Sequence, residues 1–127
     1  MNGPSTATRI QDASQLDCLD ISRLKDLSAK RSGAFTDMLQ EYITRTGELL
    51  HTLQDSETRR NYEALHQAAG TLKGSSALIG APRVQHLAEE IEAASDNRDE
   101  TSVRTGLVEL KPAVDRTLAL LRDFLHG

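Results

Sequence analysis

From Phe35 to Leu53 a core-forming side chain returns at every third or fourth position: Phe35, Met38, Leu39, Tyr42, Ile43, Thr46, Leu49, Leu50 and Leu53. This is the period of an α-helix, whereas a half-buried strand would alternate at every second residue. It predicts an amphipathic helix over about residues 34–54. The same period recurs three more times. Tyr62, Leu65, Ala69, Leu72, Ser76 and Ile79 mark a helix over about 57–79, with Asp55 or Ser56 as its cap. Gly80-Ala81-Pro82 ends it, and Pro82 suits the first turn of a helix over about 82–95 whose inner edge is Val84, Leu87, Ala88, Ile91 and Ala94. After the turn Asp96-Asn97-Arg98-Asp99, a last helix over about 100–125 carries Val103, Leu107, Leu110, Val114, Leu118, Leu121 and Leu125. Pro112 lies inside that pattern, where a proline kinks a helix or divides it.

Four long amphipathic segments joined by short turns predict an all-α, antiparallel up-down four-helix bundle. Ahead of it, Asp20 can cap a short extra N-terminal helix near residues 20–29, with Ile21, Leu24 and Leu27 on its inner edge. Residues 1–15 are small and polar and are expected to form a disordered lead, with the bundle occupying 16–127. Leu39, Ile43, Leu50, Leu65, Leu72, Leu87, Ile91, Leu107, Leu110 and Leu121 should be buried. With aromatics at 3% and no Trp, the core must be aliphatic, which suits packed helices better than a β-sandwich.

The net charge of −4 argues against a nucleic-acid partner. Cys18 has no second cysteine to pair with and fits a reducing compartment. No apolar run approaches the roughly 18 residues that span a bilayer, and Met1-Asn2-Gly3-Pro4-Ser5-Thr6 lacks the apolar core of a signal peptide. A cytoplasmic domain without membrane insertion is expected.

The segment Tyr62 to Ala81 carries a second stripe beside its apolar one. Arg59, His66, Gly70, Lys73 and Ala77 share a face, because a helix returns to within about 20° of its starting direction every seven residues. The stripe is basic and, around Gly70, Gly74 and Ala77, nearly bare of side chains, so another molecule can approach it closely. Plainer explanations exist for each part. Charges on a helix are usually only solvated, and Gly70 with Gly74 could serve close helix packing. Lys73-Gly74-Ser75 resembles the end of a phosphate-binding P-loop, but the leading glycine spacing and a preceding strand are missing. His86 and Glu90 could touch one metal, yet two ligands do not make a site, and His51 and His126 stand in no motif. Neither a metal nor a cofactor is expected.

The run Leu65-x-x-Ala68-Ala69-Gly70-Thr71-Leu72-Lys73-Gly74-Ser75-Ser76, followed by Gly80-Ala81, resembles the histidine-containing phosphotransfer (HPt) domain. The resemblance extends over about residues 19–125, including the Leu-Asp opening before the first helix and the helix spacing. It implies a module of two-component phosphorelay signalling whose histidine takes a phosphoryl group from an aspartate of a receiver domain and passes it on. It implies further that Lys73 lies beside the phosphoryl group and that Gly74 leaves room for the receiver. The acceptor histidine should stand three residues before Lys73, and Gly70 is there instead. Glycine offers no nucleophile, so the acceptor role does not carry over.

Two functions from different classes follow. The first is a non-phosphorylatable binding module, an HPt-like domain that docks response-regulator receivers through Arg59, His66, Gly70, Lys73, Gly74 and Ala77. The second is a genuine phosphorelay intermediate, in which Gly70 replaces a native histidine or His66, one turn earlier, is a displaced acceptor. A plain helical interaction domain is the third and weakest alternative. The expected partner is a receiver domain, that of a hybrid sensor histidine kinase included, and the chain itself is at most a phosphotransfer mediator rather than an enzyme. Its opening and ending fit an excised C-terminal kinase module as well as a free protein.

Overall fold

Asp20 precedes the first helix among the described residues. Its Oδ1 accepts the Arg23 N–H at 3.1 Å and caps α1 (Ile21–Lys30). The computed structural model describes residues 16–30 and 32–126, so the expected lead over 1–15 lies outside the described residues. Four more helices follow: α2 (Ser32–Thr58), α3 (Tyr62–Ile79), α4 (Pro82–Asp96) and α5 (Glu100–His126). No strand occurs among the described residues.

Each long helix packs on the next, and α2 meets α5, which closes the four into a bundle; α1 packs on α2. Leu39, Leu53, Leu65, Leu72, Leu87, Ile91, Leu110 and Leu121 are essentially inaccessible to water. Of the ten residues expected to be buried, only Ile43 is half-buried, at the edge of the core; on α1, where Ile21, Leu24 and Leu27 were expected on the inner edge, Leu24 is buried and Leu27 half-buried, but Ile21, in the first turn, is exposed. Ser76 sits on the core face of α3, where its hydroxyl hydrogen-bonds the Tyr42 hydroxyl at 2.7 Å and satisfies both buried groups.

Two boundaries differ from the expectation. The polar run Gln54-Asp55-Ser56 does not break the chain, and α2 continues to Thr58. Ser56 is buried, and its carbonyl accepts the Asn61 N–H at 2.9 Å as Arg60 turns the backbone into the left-handed region at φ 55°. Asn61, rather than Asp55 or Ser56, caps α3, its Oδ1 accepting the Ala64 N–H at 3.1 Å. The second difference concerns Pro112. Helix α5 is one element through Pro112 rather than two pieces. The proline lies on the exposed side, near the exposed Val108 whose carbonyl loses its usual partner there.

The α3–α4 turn is held from outside. Gly80 ends α3 at φ 82°, and the N–H groups of Gly80 and Ala81 both donate to the Ser76 carbonyl. The Asp20 N–H donates to the Gly80 carbonyl at 2.8 Å, Arg23 Nε to the Leu78 carbonyl at 3.0 Å, and Arg83 Nε to the Leu16 carbonyl at 2.8 Å. A Cβ on Gly80 would stand 2.9 Å from Arg23 Cδ, so this turn requires glycine both for its backbone and for its clearance. The segment before α1 thereby fixes the hinge from which α3 and α4 run antiparallel.

Candidate functional site

Because α3 and α4 are antiparallel about this turn, residues equidistant in sequence from Ala81 come opposite one another. Gly70 faces Glu92 and His66 faces Asp96. The site is therefore shared by two helices, not carried by α3 alone.

Lys73 Nζ donates to Glu92 Oε1 at 2.6 Å. The other carboxylate oxygen, Glu92 Oε2, lies over Gly70, where a Cβ would stand only 2.9 Å from it. The backbone at Gly70 has no left-handed φ, so glycine is not required there for conformation. What its missing side chain provides is room for the Glu92 carboxylate. The lysine side chain is 37% exposed and that of Glu92 19%. The hydrogen bond to Glu92 raises the Lys73 pKa above its ordinary value, partly opposed by desolvation and assisted by the charges of Glu92 and Glu89.

His66 lies one turn before Gly70, between two acids. Its Nε2 is 4.0 Å from Glu92 Oε2, and its Nδ1 is 2.8 Å from Asp96 Oδ1, a close contact without the alignment of a hydrogen bond. Beyond these, Gly74 and Ala77 are exposed, and a Cβ on Gly74 would meet open space. Leu78, next to them, is 54% exposed, a large apolar side chain left in water. The outer side of α3 is thus low in relief and partly apolar, rimmed on the α4 side by the Lys73–Glu92 pair and by Asp96.

The stripe read from the sequence is corrected in two respects. Arg59 is not part of α3, which begins at Tyr62; it lies in the α2–α3 turn and pairs with Asp55 at 3.0 Å. The stripe is also not a free basic surface, because Glu89, Glu92 and Asp96 face Lys73 and His66 from α4. Glu92 and Asp96 escaped the sequence reading, which took α4 by its buried edge and the His86–Glu90 pair. Reflecting α3 onto α4 about Ala81 would have found both.

His86 Nε2 lies 3.2 Å from Glu90 Oε2, and no group of three or more metal-ligating side chains exists among the described residues. No described helix is long and apolar enough to cross a membrane.

The fold is an antiparallel helical bundle with half-buried Lys73 and exposed Gly74 in consecutive positions on the outer side of α3. The Hpt domain family matches residues 37–124, most of the chain, and this protein belongs to that family. Its fold is similar to that of histidine-containing phosphotransfer protein B (HptB) from Pseudomonas aeruginosa PAO1, with a TM-score of 0.82. That likeness covers 86% of this chain and 95% of the other, at 17% identity. No curated protein matches the chain. A module of two-component phosphorelay signalling is thereby established, and a chance likeness of an unrelated helical domain is set aside.

Proposed function

We propose that this HPt-family chain docks response-regulator receiver domains on the outer face of α3 and accepts no phosphoryl group itself. The observation that carries the reading is the occupant of the space above Gly70. Where the resemblance calls for an imidazole, a carboxylate oxygen of Glu92 stands 2.9 Å from the position of a Cβ. A carboxylate held by Lys73 is neither placed nor activated as a phosphoryl acceptor. His66 is no better placed, since both ring nitrogens lie within 4.0 Å of acids of α4. The flat surface over Gly74, Ala77 and Leu78 supports docking, because it offers clearance and apolar area together.

Incubation with a phosphorylated receiver tests this directly. The chain should bind the receiver and acquire no acid-labile phosphate, and Gly74→Arg should abolish the binding sterically. Gly70→His should take up phosphate once the flexible end of Glu92 moves aside. Phosphate on His66 of the unaltered chain would overturn the assignment.

A further inference from the structure

We propose that Glu92 is an internal anion, seated on Gly70 and bound to Lys73, which closes the lysine to an incoming phosphoryl group and removes any preference for a phosphorylated partner; this rests on the docking reading above. A lysine beside a phosphoryl site recognises its ligand through charge, donating hydrogen bonds to the anion's oxygens. In this protein one of the three ammonium donors is already engaged and the charge is already paired. Lys73 Nζ is 2.6 Å from Glu92 Oε1, and the second oxygen of the same carboxylate fills the room that a side chain at residue 70 would take. The carboxylate can sit this close to the α3 backbone because residue 70 has no Cβ.

The surroundings reinforce the exclusion. Asp96 lies against His66, and Glu89 adds its field at Lys73, so a phosphoryl group arriving above Gly70 would meet three carboxylates around one lysine and one histidine. It would have to displace Glu92 from Lys73 and leave that carboxylate beside the new negative charge. An unphosphorylated receiver, seated on Gly74, Ala77 and Leu78, need not disturb the pair. Gly70 and Glu92 therefore act together. The glycine removes the acceptor, and the glutamate occupies the anion's place.

The test uses the full chain and its Glu92→Gln variant, which preserves size and removes the charge. Receiver domains of the host genome are titrated bare and loaded with beryllofluoride, a mimic of the aspartyl phosphate. The unaltered chain should bind the two forms with similar affinity or favour the bare one. Glu92→Gln should shift the ratio roughly fivefold toward the loaded form, the scale of a partly exposed ion pair. An independent readout needs no receiver: amine acetylation of Lys73, followed by mass spectrometry, should be slow in the unaltered chain and faster in Glu92→Gln. An unchanged affinity ratio, with Gly74→Arg still abolishing binding, would overturn the role of Glu92 and leave the docking face standing. Equal acetylation rates would overturn the closed pair itself. If neither chain binds any receiver, the docking reading falls and the inference falls with it.

Discussion

Substituting Gly70 by alanine separates the two explanations for a glycine in the middle of α3. In an open helix interior, Gly→Ala stabilises by about 1 kcal/mol, because alanine loses less backbone freedom on folding. The backbone at Gly70 offers no obstacle, since it is not in the left-handed region. The obstacle is Glu92, whose Oε2 would lie 2.9 Å from the new Cβ, inside ordinary contact distance. The carboxylate must withdraw by a few tenths of an ångström while it is hydrogen-bonded to Lys73, and both are the ends of long side chains that can follow one another. The net gain of Gly70→Ala should therefore fall to about half, near 0.5 kcal/mol, and recover to about 1 kcal/mol in a Glu92→Ala background. Urea unfolding of the four members of this cycle reads the difference as a shift in midpoint at constant slope. A full gain of about 1 kcal/mol in both backgrounds would refute the seating of Glu92 on Gly70.

Three further outcomes can be measured. Tyr42→Phe should destabilise by about 1–3 kcal/mol, because it strands the fully buried Ser76 hydroxyl, and adding Ser76→Ala should recover part of the loss in urea melts. Asn61→Ala should cost about 1 kcal/mol by removing the α3 cap, again read from urea midpoints. Two groups at the surface make stability depend on pH. Hydrogen bonding to Glu92 raises the Lys73 pKa from its ordinary 10.5, so that contribution is complete below about this pH and is lost as pH rises through the folded value. Hydrogen bonds from the Ser102 side chain and backbone lower the Asp99 pKa from its ordinary 3.8, so that contribution is present above this value and is lost as pH falls through the folded one. Glu92→Gln should reduce the alkaline dependence, leaving the part due to the buried Tyr42 hydroxyl, whose pKa burial raises above its ordinary 10.0, and Asp99→Ala should remove the acid one, as followed by thermal melts across pH.

The bundle was legible because its apolar period is long and its turns carry strong signals. Pro82 at the start of α4 and Asp99 ahead of α5, whose carboxylate holds the Ser102 N–H and hydroxyl, leave little freedom in those boundaries. The α2–α3 boundary was less legible. Residues 54–58 are polar yet remain helical, and the stop depends on Arg60 adopting a left-handed conformation that its side chain does not announce. The α3 half of the proposed site rests on the spacing of Gly70, Lys73 and Gly74, which the sequence displays. The α4 half could not be read one helix at a time, because Glu92 and Asp96 acquire meaning only when two helices are folded against each other about Ala81. That pairing also reverses the electrostatic expectation, turning a basic stripe into one faced by carboxylates, with Lys73 paired to Glu92.

Titration of the isotopically labelled chain with an unphosphorylated receiver domain, followed by two-dimensional amide NMR, tests the central claim most directly. The account predicts that the largest shifts fall on one surface, at Gly70, Thr71, Lys73, Gly74, Ala77 and Leu78, with the α5 face around Val108 unmoved. Shifts centred on α5, or spread without a focus while α3 stays silent, would contradict it.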